Sequence, residues 1–399
     1  MGSTGSPTER WLTRGVAGIG SASLLADLGH EVPTALLPGF LASTLGAPAA
    51  ALGVIEGVAD GAAGVARLTG GALAEDPARR RRTAVGGYAA TAVLSSLIGV
   101  ATSAWQVGVL RAGAWTARGL RVPARNALLA DVVPAHAYGR AYGFERAMDN
   151  VGAIGGPLLA LGLVALLGVR TAILVSIVPG LLAAGAIVYA IRATRLPAAQ
   201  ERRPLRLHLR PVLRGRLGRI LLAVGAFELG NVAATLLILR ATELLTPSHG
   251  HDDAVAIALA LYIAYNAAAA VASVPGGRLG DRRGSVLMLA LGIAVFAAAY
   301  GGLALVGAST AALAVCFVAA GVAIGFVETA EHAAVASHAP EAVRGSAFGA
   351  LAAIQSLGNL AASAIAGLLW TAVSPRVAFL YLAGWMVVAL VVLSASRRR

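Results

Sequence analysis

The chain has 399 residues, 58% of them hydrophobic and only 13% charged, with a mean hydropathy of +0.77. A water-solvated globular domain of this size does not carry such a balance, so the solvent around most of the chain is lipid. The formal net charge is +13 and every basic residue is arginine, yet the arginines sit between apolar runs and form no single basic face, which favours membrane topology over nucleic-acid binding.

A hydrocarbon core of roughly 30 Å takes about 20 residues of helix. Dividing the apolar stretches at polar loops and Pro/Gly clusters predicts an all-α membrane protein with twelve transmembrane spans. They run over 15–41, 49–73, 83–102, 104–123, 140–167, 170–191, 217–245, 254–275, 285–306, 309–333, 343–369 and 375–395. Residues 1–14 are short and polar, and the first span carries Asp27, His30 and Glu31, so no signal peptide is expected. Cys316, the single cysteine, excludes an internal disulfide. Alternate loops are arginine-rich: Arg79–Arg82, the segment from Arg118 to Arg140, Arg282 and Arg283, and Arg397–Arg399. The opposite loops hold only Arg170 and Arg376, which places both termini in the cytoplasm of a cell membrane.

Taken in chain order, the spans carry charges that lipid does not tolerate unless they face a cavity or a partner, at roughly 2.5–3.5 kcal/mol each. Asp27 and Glu31 in span 1, Glu56 and Asp60 in span 2, and Glu145 and Asp149 in span 5 are each spaced i, i+4, which puts each pair on one helix face. Two carboxylates confined together in low dielectric cannot easily both ionise, as a proton-coupled carrier requires. The expected proton-coupling residues are therefore Asp27, Glu31, Glu56, Asp60 and Asp149. Arg111 in span 4 is expected to pair with Glu56 or Asp27 and to be released on protonation. Arg118, Arg121 and Arg125, nearer the cytoplasmic end, are expected to snorkel toward lipid phosphate.

Residues 192–219 hold nine arginines against the single acid Glu201, with three prolines spaced through the segment. This linker over 192–216 divides the chain into six-span halves at 1–191 and 217–399. In the second half, Glu228 and Asn231 in span 7, Tyr262 and Asn266 in span 8, and Gln355 and Asn359 in span 11 are the expected substrate-binding groups. Glu328, Glu331 and His332, like Asp27, His30 and Glu31, are of transition-metal ligand type. Metal or metal-chelate export is therefore a rival substrate class, although no metal site is assigned. No nucleophile elbow, zinc-binding helix or phosphate loop is present, so neither an enzyme nor a built-in ATP motor is expected.

The loops after the second span of each half match: Gly71-Ala-Leu-Ala-Glu75-Asp76-Pro-Ala78-Arg79-Arg80 and Gly277-Arg-Leu-Gly-Asp281-Arg282-Arg283-Gly284. Such a repeat implies duplication, with two pseudo-symmetric bundles and a substrate path between them. On these residues the chain resembles the major facilitator superfamily, whose loop between helices 2 and 3 reads G-x-x-x-D-x-x-G-R-K/R. The second copy fits through Gly277, Asp281 and Gly284; the first has Glu75 for Asp and Ala78 for Gly. The resemblance implies a conformational latch at Gly71, Glu75, Arg79, Gly277, Asp281 and Gly284, with charge contacts at the cytoplasmic helix ends. Gly152-Ala-Ile-Gly155-Gly156-Pro157 in span 5 resembles the glycine-rich motif of the superfamily's drug and metabolite:proton antiporters. That resemblance implies close approach of span 5 to a helix of the other half, and proton-coupled export of a small organic molecule. Proton-coupled import and a receptor without transport are the alternatives. The expected partners are protons, a small-molecule substrate and the bilayer, for a monomer with no cofactor.

Overall fold

The computed structural model describes residues 11–194 and 206–397, so residues 195–205 of the predicted linker lie outside the described residues. Every regular element among the described residues is helical. In the first half these are α1 (Arg14–Gly39), α2 (Ala49–Leu73), α3 (Pro77–Leu97), α4 (Ala104–Val132), α5 (Tyr138–Leu167) and α6, in two segments, Val169–Val175 and Ile177–Ala193. In the second half α7 is also in two segments, Gly215–Glu228 and Ala234–His249. It is followed by α8 (His251–Arg283), α9 (Ser285–Leu305), α10 (Thr310–His338), α11 (Arg344–Ala372) and α12 (Pro375–Arg397).

Eight of the described helices are long and apolar enough to cross a bilayer on length and composition alone; α1, α2, α4 and α7 are not among them. The first three carry the inward-facing charges described below, and α7 is broken over 229–233. Large apolar side chains such as Leu161, Leu166, Val271 and Val315 stand more than two-thirds exposed, which only lipid tolerates at this density. Local chemistry sets several helix starts. Thr13 caps α1 by accepting from the Val16 N–H, Asp76 caps α3 by accepting from the Ala78 and Arg79 N–H groups, and Ser309 caps α10 by accepting from the Ala312 N–H.

Within the first half α1 packs on α5 and α6, and α4 on α2 and α3; within the second half α10 packs on α8 and α9, and α12 on α7 and α9. The closest helix pairs between the halves are α2 with α11 and α5 with α8, and α5 also packs on α10 and α4 on α11. The two closest pairs follow helical stripes of small residues. On α2, Gly64, Arg67 and Gly71 meet Ser356, Ala352 and Gly349 of α11 in turn, and just past its end Glu75 meets Ser346. On α5, Gly139 and Gly143 meet Gly277 and Ser273 of α8. A Cβ on Gly71 would stand 2.8 Å from the Gly349 Cα, and one on Gly277 would land on the Gly139 backbone, so glycine alone permits these approaches. The contacts sit at the end where α1 begins and α12 finishes. Farther along α2, Gly53, Gly57 and Gly61 face open space, so the halves separate toward the opposite end.

Candidate functional site

The closed end is tied by two carboxylates at corresponding places in the repeat. Asp281, at the last turn of α8, accepts from the N–H groups of Gly139 (2.6 Å) and Arg140 (3.1 Å) and from the Arg140 guanidinium (2.8 Å). Glu75, just past α2, accepts from the Ser346 N–H at 2.8 Å. Each carboxylate therefore caps the first turn of a helix in the other half, where unpaired N–H groups and the helix dipole favour an anion. Arg79 gives only its backbone N–H to Asp76; it is Arg80 that pairs, reaching Asp131, which Arg344 also approaches at 3.4 Å. Gly284 turns between α8 and α9 at φ 98°, whereas the first copy turns through Asp76 at φ −89° and needs no glycine at Ala78.

The antiporter-like glycines act differently from expectation. Gly152, Gly155 and Gly156 of α5 lie against Leu24, Asp27, Leu28 and Glu31 of α1, in the same half. Close approach to the other half falls instead to Gly139 and Gly143, at the start of α5 where the halves are zipped together. Pro157 lies inside α5 without ending it.

Above the closed end lies a cavity of about 570 Å³ walled by both halves. From the first half come Asp27, Asp60, Arg67, Arg118, Arg121, Arg125, Arg146 and Asp149; from the second come Glu228, Asn231, Glu328, His332, Gln355, Asn359 and Ser363. Arg118, Arg121 and Arg125 thus face inward, not toward lipid phosphate, because their helix face is the one the bundle encloses. Arg121 is buried with its guanidinium 4.0 Å from the centre of the Tyr88 ring. Arg125 is buried on Glu145 (2.7 Å) and Asp149 (3.7 Å), and Ser23 joins them by donating to Glu145 at 2.6 Å. Arg146 holds Glu145 (2.8 Å) and Asp149 (3.1 Å), and reaches across to Glu328 of the second half at 3.9 Å. Sequence reasoning assigned no role to Arg146, Arg67 or Asp131. The legible signal for Arg146 was its place between two acids of one helix face.

Asp27 and Glu31 flank His30, each with an oxygen 3.5 Å from one of its ring nitrogens, while Nδ1 also faces the Ala26 carbonyl at 2.7 Å. Asp27 is buried and has no guanidinium within 4.0 Å among the described residues. Arg111 and Glu56 pair at 3.1 Å, with Thr34 accepting from Arg111 at 3.0 Å and the guanidinium stacked 3.4 Å from the Trp115 ring centre. Trp115 in turn donates to Asp60. Glu31, Glu56 and Arg111 are not on the cavity wall; they form a cluster beside it that ties α1, α2 and α4.

In the second half, the break in α7 brings Glu228 and Asn231 to the wall. The Asn231 amide donates to Glu228 at 3.0 Å, Asn359 donates to the Asn231 carbonyl at 2.8 Å, and Ser363 accepts the Ala233 N–H at 3.0 Å. Backbone groups freed by the break are thereby satisfied from α11. Gln355 donates to the fully buried Glu331 at 2.8 Å. Tyr262 and Asn266 do not line the cavity; Asn266 donates to its own helix at the Tyr262 carbonyl. Among the described residues no group of three or more His, Cys, Asp or Glu side chains is arranged to hold a metal ion.

The model of the family described as Major Facilitator Superfamily matches residues 19–261 and 231–399. An uncharacterized MFS-type transporter from Methanocaldococcus jannaschii is 28% identical over 375 residues, 94% of this chain and 92% of that protein. The human organic anion transporter MFSD10 superposes with a TM-score of 0.74 at 17% identity, over 97% of this chain and 100% of that one. The Escherichia coli fucose:proton symporter gives 0.74 at 15% identity, over 96% and 98%.

Proposed function

Because the chain belongs to the Major Facilitator Superfamily, and is a multi-pass membrane transporter and not an enzyme, we propose that it exchanges protons for a small organic molecule, exporting that molecule by alternating access. Asp27 carries this reading. It is a buried carboxylate on the cavity wall, without a guanidinium partner, beside a cluster of arginines. A carboxylate so placed is costly to keep charged and takes a proton in exchange for a change in the field at Arg118 and Arg121. Proton and substrate then compete for one wall, which is the requirement for antiport. Proton coupling on this fold is named in the E. coli neighbour, and carriage of an organic anion in the human one. With the arginine-rich loops in the cytoplasm of a cell membrane, the conformation described opens outward, where it takes up protons from outside.

The test is quenching of a pH dye trapped in proteoliposomes, with an imposed proton gradient and a pooled panel of drugs, metabolites and metal chelates. Substrate-dependent proton movement opposite to substrate flow is expected. Asp27→Asn is expected to lose at least tenfold of the proton movement while still inserting and folding. Full coupling in that variant would remove Asp27 from the mechanism, and substrate flux without protons would remove proton coupling altogether.

A further inference from the structure

Every arginine of the cavity lies on the first half's wall, beside Asp27, Asp60 and Asp149, whereas the second half's wall carries Glu228 and Glu328. On the first half's wall Arg125 and Arg146 are satisfied by Glu145 and Asp149, but Arg67, Arg118 and Arg121 have no carboxylate within 4.0 Å among the described residues. Arg67 donates only to the Ala352 carbonyl, Arg118 stands 5.5 Å from the Trp115 ring centre, and Arg121 lies over Tyr88; the Nε atoms of Arg67 and Arg121 are buried without a partner. The second half's wall carries no arginine. It presents Glu228, buried, with an amide but no cation within 4.0 Å, among Asn231, Gln355 and Asn359. Glu228 also closes the first segment of α7, whose carbonyl end adds partial negative charge at the same place.

From this polarity we infer that the transported molecule is a small zwitterion, its anionic group seated against Arg67, Arg118 and Arg121 and its cationic group against Glu228. An anion alone would leave Glu228 buried without a cation in the loaded site, and a cation alone would leave the buried Arg121 and the half-buried Arg67 and Arg118 without a carboxylate. A ligand carrying both signs satisfies both walls and bridges the halves, so its binding is felt by the interface that must move. A cavity of about 570 Å³ suits an amino acid or a short peptide with free termini.

This assignment rests on the cavity being the transport site. It is tested on the full-length protein in nanodiscs by ligand-dependent thermal stabilisation. The probes are the twenty amino acids and a set of dipeptides, each beside its N-acetyl form, which removes the cation, and its C-terminal amide, which removes the anion. At least one zwitterion is expected to bind ten times or more tighter than both of its blocked forms. Glu228→Gln should bring it down to the affinity of the N-acetyl form, and Arg67→Gln or Arg118→Gln toward that of the amide. A blocked form binding as tightly as its parent, or no zwitterion binding at all, overturns the assignment; the wild-type comparison decides this even if a variant misfolds. Proton-coupled flux of a singly charged drug in the pH-dye assay would sink the zwitterion and leave the antiport reading standing. Zwitterion binding with flux but no proton movement would do the reverse.

Discussion

The two copies of the repeat close the same end of the molecule with the same device and unequal strength. Asp281 holds two backbone N–H groups and a guanidinium at the start of α5, all within 3.1 Å. Glu75 holds one backbone N–H at the start of α11, and its Oε2 is buried without a hydrogen-bond partner. The shorter side chain places both oxygens across the helix end; the longer one presents a single oxygen. Asp131, shared by Arg80 and Arg344, stands beside the weaker copy and supplies the charge contact that Glu75 lacks. A departure from the repeat at one residue thus stands beside a charged group from α4, and the two contacts are equivalent in place but not in composition.

The comparison is broken most severely at the glycines. Gly277→Leu puts a side chain onto the Gly139 backbone, with an expected cost of about 3 kcal/mol, the upper end for overpacking, and roughly a hundredfold loss of the closed population. Spin-label distances between Arg82→Cys and Arg283→Cys, in a Cys316→Ser background, should lengthen and broaden, and transport should fall in parallel. Asp281→Asn removes the charge from three hydrogen bonds, about 2 kcal/mol, and should shift the same distance distribution by more than tenfold. Glu75→Gln removes charge from one, about 1 kcal/mol, and should shift it severalfold less. Equal effects from those two variants would overturn the ranking of the latches. The smallest change is Ala78→Gly, which restores the family residue in the first copy. Because Asp76 already makes that turn, it should bring no gain in activity and a loss of about 0.5–1 kcal/mol in thermal unfolding, the cost of glycine within a helix.

Much of this was legible beforehand. The all-α membrane fold and the order of its helices could be read because lipid enforces long apolar helices. The i, i+4 acids were legible as inward-facing pairs, yet their partners were not. Arg111 was expected on Glu56 or Asp27, and the structure places it on Glu56 and Trp115. Arg125 was read as a lipid-facing residue because its distance from the helix end permits snorkelling, and only the packing of α4 against its neighbours turns it toward Glu145. The break in α7 was hidden inside an apolar stretch read as one continuous span; Gly230 and Asn231 were its only local marks.

The sequence by itself determined that this protein is helical, membrane-spanning and duplicated, since hydropathy, arginine placement and repeated spacing are local properties that need no neighbour to be read. The tertiary structure alone decided which charges cancel and which stay open. Arg146 is neutralised by acids of its own helix and of α10, while Arg67, Arg118 and Arg121 are left facing the cavity. Ion pairing falls off within a few ångströms, and residues far apart in the chain come that close only when the helices pack.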